Sequence, residues 1–230
     1  MTLAGTFAPA TAPSPLWYVD RSAGEVSLLL LSAVVVVGVL RAAMPAARPL
    51  LVEGLHIRLT AVTCVFGVVH AAAAVIDPFA HLGPLDALVP FASAYRPLWL
   101  GLGVASGYLF AAAVLSSWPV RRLPRRVWSA VHRLMYLGWL CALVHALGTG
   151  SDSANRLFDL LDLTAVCGVL AAFLAYRVAE GINRKPALWG SLAAVAVLAT
   201  LSILLWAEQG PMQPGWAKVS GTPAGFLHGG

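Results

Sequence analysis

Six long apolar stretches, separated by short polar punctuation, make up most of the chain. They run from about Ser22 to Leu40, Ile57 to Ile76, Pro97 to Ser117, Val127 to Leu147, Leu157 to Tyr176 and Pro186 to Trp206. A helix needs about 20 apolar residues to cross the hydrocarbon core of a bilayer, and each stretch is close to that length. In lipid, only a helix satisfies every backbone group within one segment. The pattern therefore predicts an all-α fold: a polytopic membrane protein built as a bundle of six transmembrane helices. Turn chemistry falls between the stretches, at Asp77-Pro78, Gly83-Pro84, Arg96-Pro97, Gly148-Thr149-Gly150 and Lys185-Pro186. The expected organisation is an Ala/Pro/Thr/Ser-rich tail over 1–21, the six-helix domain over 22–206 and a second tail over 207–230. The first stretch reads as an uncleaved helix, because its positive charges, Arg41 and Arg48, follow it rather than precede it.

Loop charge gives the orientation. Of the 15 Lys and Arg residues, eleven lie in or beside the loops after the first, third and fifth stretches: Arg41, Arg48, Arg58, Arg121, Arg122, Arg125, Arg126, Arg133, Arg177, Arg184 and Lys185. The opposite side holds Arg21, Arg96, Arg156 and Lys218, and collects Asp77, Asp86, Asp152, Asp159 and Asp162. The positive-inside rule then places both termini outside the cytoplasmic membrane, N-out and C-out. Composition agrees with the membrane reading: 59% of residues are hydrophobic and 11% are charged. The formal net charge of +5 reflects this topology signal and is not a nucleic-acid signature. Cys64, Cys141 and Cys167 all fall in apolar stretches and read as small buried hydrophobes.

The chemistry sits on two of these stretches. His56 and His70 are 14 residues apart around the second, and His132 and His145 are 13 apart on the fourth. Both spacings correspond to roughly 20 Å along a helix axis, so each helix carries one imidazole towards each face of the membrane. Both helices run inside to outside, which pairs His56 with His132 at the cytoplasmic depth and His70 with His145 at the outer depth. One point resists this geometry. At 100° per residue, 14 residues return within about 40° of one face, whereas 13 land about 140° away. The fourth helix needs a local change in winding, or its two sites lie at different azimuths. His81 and His228 fall in an outer loop and the outer tail and read as solvated.

Ionisable side chains at membrane depth are costly and point to function. A zinc or copper transport site favours carboxylate or thiolate company beside the imidazoles, and the sequence neighbours of these four are Leu, Ile, Val and Ala. Paired neutral imidazoles suit a low-spin haem iron that passes electrons. No C-x-x-C-H occurs, so such a haem is non-covalent, b-type. Gly67, Ala71–Ala74, Gly138, Ala142 and Ala146 leave room for a flat macrocycle. Arg58 and Arg133 are placed for the propionates of an inner haem and Arg96 for those of an outer one. Phe66, Tyr136 and Trp139 lie between the two depths. The plainer readings of these residues are topology signalling or snorkelling for the arginines and core packing for the aromatics.

The stretch from about His56 to Asp152 resembles the ferric reductase-like transmembrane domain, the haem-bearing core of NADPH oxidases and ferric reductases. The resemblance rests on His-x13-His at His56/His70 and His-x12-His at His132/His145. The flanking segments VIDPFAHLGPLDALVPFASAYRPLWLGLG and AVHRLMYLGWLCALVHALGTGSDS are similar to short stand-alone members from high-GC Gram-positive bacteria. It implies two b haems with His56, His132, His70 and His145 as axial ligands to iron, carrying electrons across the cytoplasmic membrane. Oxidases of this family continue from the fifth helix into a flavin- and nicotinamide-binding domain. Here Arg177–Lys185 leads into a sixth apolar stretch, so no flavin or NAD(P) site is expected in this chain. The resemblance then implies a separate donor, a flavoprotein reductase or membrane quinol, and an extracytoplasmic acceptor such as a flavin-binding protein or a reductase. The basic Arg121–Arg126 loop is a candidate docking surface for the donor. Two other classes remain: a histidine-based divalent metal or proton transporter, and a non-redox membrane anchor subunit.

Overall fold

The structure, a computed structural model, describes residues 14–43, 49–77, 82–117, 123–149, 156–179, 198, 201–213 and 216. Every element among them is a helix: α1 (Pro15–Ala43), α2 (Pro49–Ile76), α3 (Pro84–Leu88), α4 (Pro97–Ser116), α5 (Arg125–Arg133), α6 (Met135–Thr149) and α7 (Arg156–Ala179). A further helical run covers 201–209. Among the described residues, five helical segments are long and apolar enough to cross a membrane: Pro15–Ala42, Leu50–Ile76, Pro97–Ser116, Arg125–Thr149 and Leu160–Arg177. Most of the sixth expected helix lies outside the described residues, as do His81, His228, Arg48, Arg121, Arg122, Arg184, Lys185 and Lys218.

The first helix begins seven residues before its expected start, inside the stretch assigned to the tail. Ser14 caps it: the Trp17 N–H donates to Ser14 Oγ at 3.1 Å, and Pro15 occupies the first helical position, where its missing N–H costs nothing. The Ser14 hydroxyl also donates to Asp77 Oδ1 at 2.9 Å, just beyond the end of α2. At the other end, Arg41 pairs with Glu53 at 3.0 Å. These two links bracket an antiparallel α1–α2 pair. They also bring Trp17, Asp20 and Arg21 into the bundle, with the Arg21 guanidinium over the Trp17 ring at 4.8 Å.

α1 is the centre of the packing. Its Leu28, Leu31, Val35 and Val39 meet Met135, Trp139, Leu143 and Leu147 of α6 and Val166, Val169 and Ala172 of α7. A long-range polar link in this seam is closed: Trp139 Nε1 donates to Ser32 Oγ at 2.8 Å, and that hydroxyl donates to the Leu28 carbonyl at 2.8 Å. Other membrane-depth hydroxyls satisfy themselves on the preceding turn, as Thr60 does on the His56 carbonyl and Thr63 on that of Leu59. Leu51, Leu55, Ile57, Val62, Val65, Val68 and Ile76 of α2 face outward, as lipid contact requires. α4 packs on α6 through the gap at Gly138, where an added β-carbon would meet Leu109 and Met135.

The fourth stretch is not one continuous helix. α5 ends at Arg133, and the Leu134 N–H is shared between the carbonyls of Ala130, at 3.2 Å, and Val131, at 3.1 Å. The chain then continues as α6, with the Gly138 N–H bonded to the Leu134 carbonyl at 3.0 Å. A bond to the third residue back tightens the turn to about 120° per residue. The break lies between His132 and His145, and its extra rotation works against the shortfall left by a 13-residue spacing.

Candidate functional site

The bundle brings the four membrane-depth histidines together as two ring pairs. His56 of α2 faces His132 of α5, with centroids 6.2 Å apart and planes at 55°. His70 of α2 faces His145 of α6 at 6.0 Å and 69°. The pairing is that of two helices running in the same direction. The separation is informative. Two imidazoles joined by a direct N–H···N hydrogen bond have centroids about 5 Å apart. Two that grip one metal ion from opposite sides, each with a metal–nitrogen bond of about 2 Å, have centroids roughly 6 Å apart. Both pairs show the wider spacing, which accommodates a shared metal and also lies within the range of about 4.5–7 Å for rings packed edge to face.

Backbone contacts orient the rings. His145 Nδ1 lies 2.9 Å from the Trp99 carbonyl. His70 Nδ1 lies 3.0 Å from the Asp20 carbonyl and 2.8 Å from the Asp20 carboxylate Oδ1. The two carbonyl oxygens can only accept, so each Nδ1 carries its hydrogen and donates to one of them, while Asp20 Oδ1 lies in ion-pair range of His70 without hydrogen-bond geometry. The lone pair is then on Nε2, the nitrogen a metal takes up when Nδ1 is held by a neighbouring acceptor. At the other pair, the His56 ring faces the Val34 carbonyl, but neither His56 Nδ1 nor His132 Nδ1 forms a hydrogen bond of normal geometry. His132 stacks instead on Trp128, with centroids 5.1 Å apart and planes at 21°.

Three of the four rings sit in the same kind of notch. A β-carbon added to Gly24 would lie 3.0 Å from the His70 ring, one on Gly38 3.3 Å from His56, and one on Gly103 2.6 Å from His145. In each case the carbonyl that the ring faces belongs to the residue four positions before the glycine: Asp20, Val34 and Trp99. One helical turn separates the two, so the missing side chain is the one that would cover that carbonyl. Gly24 and Gly38 are 14 residues apart on α1, and His56 and His70 are 14 apart on the antiparallel α2.

Asp20 corrects the expectation drawn from sequence neighbours that no carboxylate accompanies these histidines. It arrives from α1, which starts earlier than expected, and not from the histidines' own helices. Among the described residues, no group of three or more His, Cys, Asp and Glu side chains gathers as a metal-binding cluster.

The arginines divide. Arg58 and Arg133 are exposed near the His56/His132 end, with Arg133 Nε donating to the Ser129 carbonyl at 3.0 Å. Arg96 is 2% exposed. Its backbone takes the left-handed conformation, with φ of 44° and ψ of 58°. Its guanidinium donates to the carbonyls of Thr149, at 2.8 Å, and Gly148, at 3.5 Å, closing the C-terminal end of α6. Burial pushes its pKa below the usual arginine value. Trp99, Trp206 and Trp216 cluster at the same end, and Trp216 Nε1 donates to the Gly148 carbonyl at 3.0 Å. Of the aromatics between the two depths, Trp139 is core, Tyr136 packs edge-on against Phe173, and Phe66 lines a shallow apolar groove between α1 and α2.

A comparison with known families places most of this helical bundle. Residues 23–143, just over half of the chain, match the ferric reductase like transmembrane component family. The chain belongs to that family. The match includes His56, His70 and His132 and ends two residues before His145. No curated protein and no solved structure matches the chain. As a ferric reductase-like transmembrane component, the chain is a multi-pass membrane protein of an electron-transfer family.

The residues that sequence reasoning missed are Asp20, Gly24, Gly38, Trp99 and Gly103. One signal for two of them was present, the 14-residue interval of Gly24 and Gly38 repeating that of His56 and His70. Nothing local marks the Trp99 carbonyl, which is backbone.

Proposed function

We propose that the chain is a di-haem b protein that carries electrons across the cytoplasmic membrane. His56 and His132 hold the inner haem, and His70 and His145 hold the outer. The reading is carried by the two ring pairs at 6.2 and 6.0 Å, each spaced for one metal between two imidazoles. The Nδ1 contacts of His70 and His145 support it, because they leave Nε2 of each ring as the donor atom.

Each haem, once bound, supplies a one-electron ferric/ferrous couple. The chain's own residues do the rest. Asp20 and Trp99 fix the tautomer of the outer rings, and Gly24, Gly38 and Gly103 admit the imidazoles to the helix backbones. Arg58 and Arg133 supply positive charge for inner propionates. Arg96 supplies it at the outer end while holding the end of α6 that carries His145. The apolar walls keep water from the ligands. With both termini outside, electrons enter from a cytoplasmic flavoprotein reductase or membrane quinol and leave to an extracytoplasmic acceptor, such as a flavin-binding protein or reductase.

The test is haem stoichiometry. Purified protein, with haem supplied during expression, should give a low-spin reduced-minus-oxidised spectrum and two b haems per chain by pyridine haemochrome. His70→Ala and His145→Ala should each leave one haem that still reduces from the inner side. Full haem content in both variants would overturn the assignment, and a colourless wild type would favour the transporter or anchor reading.

A further inference from the structure

The two histidine pairs are not electrostatically equivalent. At the His56/His132 pair, α1 presents the neutral Val34 carbonyl, and the charges that reach the rings are those of Arg41 and Glu53, which pair with each other at 3.0 Å. At the His70/His145 pair, α1 presents a full carboxylate, Asp20 Oδ1, 2.8 Å from His70 Nδ1. The backbone carbonyl of the same residue accepts from that nitrogen at 3.0 Å. Orientation of the ring therefore does not depend on the carboxylate, because the carbonyl and the Gly24 notch provide it. What the carboxylate adds is negative charge against Nδ1, which outweighs the opposing positive field of the neighbouring Arg21 at His70. A carboxylate held beside the far nitrogen of a coordinated imidazole stabilises positive charge on the ring and on the metal behind it, which makes the ring a stronger electron donor. A stronger donor with a negative charge behind it favours the ferric state over the ferrous one.

We propose that Asp20 is a positioning and tuning residue for His70 that lowers the reduction potential of the outer haem selectively, so that the two haems of one chain have different potentials. This rests on the di-haem reading above. The balance is simple. One electron enters the iron, no bond is made or broken, and the Nδ1 proton stays on His70, directed at the Asp20 carbonyl, in both states.

The experiment is a potentiometric titration of the haem-loaded, full-length protein in detergent, followed by absorbance. Asp20→Asn and Asp20→Ala remove the charge and keep the carbonyl. Each should raise one of the two couples by about a tenfold change in the ferric/ferrous equilibrium, about 59 mV for one electron. The other couple should not move. Asp20→Glu, which restores the charge, should return most of the shift. Repeating Asp20→Asn in a His56→Ala background, where only the outer haem remains, assigns the couple that moves. Two haems with both couples unshifted in Asp20→Asn would overturn the proposal. So would loss of the outer haem in both Asp20→Asn and Asp20→Ala, since the carboxylate would then be an anchor. A wild type holding fewer than two haems fails the di-haem reading instead, and is seen before any variant is made.

Discussion

Gly103 of α4 and the His145 ring of α6 are so close that a β-carbon on the glycine would sit 2.6 Å from His145 Nδ1. No real β-carbon makes so short a contact, and the ring cannot swing away without losing the Trp99 carbonyl. The corresponding distances are 3.0 Å for Gly24 against His70 and 3.3 Å for Gly38 against His56. Alanine substitutions should therefore act in a graded order. Gly103→Ala should lose most of the outer haem, Gly24→Ala should weaken its retention, and Gly38→Ala should leave the inner haem nearly intact. Haem content after purification checks the order. Equal effects at the three positions would mean that the notches do not set ligand geometry.

Arg96 ties two functions to one side chain. It is buried, its backbone is left-handed, and its guanidinium closes the carbonyls of Gly148 and Thr149, four residues beyond His145 at the farthest. A hydrogen bond from a charged donor contributes about 1.5–3 kcal/mol. Arg96→Gln should cost about 2 kcal/mol of stability and lower the thermal midpoint by several degrees. Outer haem content should fall in step, because the end of α6 frays next to its ligand. Arg58→Gln and Arg133→Gln, on exposed side chains, should leave stability within about 0.5 kcal/mol of wild type. Any haem loss they cause belongs to the inner site. A midpoint unchanged in Arg96→Gln would remove the argument for the cap.

How much of this was legible in the sequence depends on where each signal is written. The five described spans follow from apolar runs of membrane length, and the pairing of His56 with His132 and His70 with His145 follows from helix parity. The break at Leu134 was visible only as a misfit, because the angle between His132 and His145 did not close on an unbroken helix. Nothing in RRVWSAVHRLMYLGW marks the tightened turn, which supplies a part of the missing rotation. The start of α1 was missed because an Ala/Pro/Ser/Thr-rich composition hides a Ser-Pro helix start. That miss concealed Asp20, whose partner is 50 residues away in sequence. Arg96 read as a partner for outer propionates or as a topology signal, and its closure of α6 was not visible because its partners there are backbone carbonyls, which have no sequence signature.

The Leu134 break makes a separate prediction. Inserting one alanine after Leu134 turns α6 by about 100° relative to α5 and lengthens the segment by about 1.5 Å. α6 is held by the core through Met135, Trp139, Leu143 and Leu147, so the displaced part should be α5 with His132. The insertion variant should keep the outer haem and lose the inner one. Difference spectroscopy at one haem per chain, with the remaining haem abolished by a second change, His145→Ala, reads this directly. Retention of two haems would show that the break tolerates a full step of rotation and is not what brings His132 to His56.

Trp139 offers the sharpest separation of packing from cofactor binding, because it lies between the two ligand depths yet is bonded to α1. Its Nε1 donates to Ser32 Oγ at 2.8 Å, and both residues are buried. Ser32→Ala leaves an indole N–H without a partner in an apolar seam, which costs about 1–3 kcal/mol. Trp139→Phe removes that donor, and the Ser32 hydroxyl still donates to the Leu28 carbonyl. The double variant should therefore cost less than the sum of the single ones, with a coupling of about 1 kcal/mol, within the range found for interhelical hydrogen bonds in membranes. Thermal unfolding of the four proteins gives the cycle. The haem spectrum should be the same in all four, since this bond joins α1 to α6 in the core and leaves the histidine pairs untouched. A spectral shift in Trp139→Phe alone would place the indole against a porphyrin and reverse the assignment.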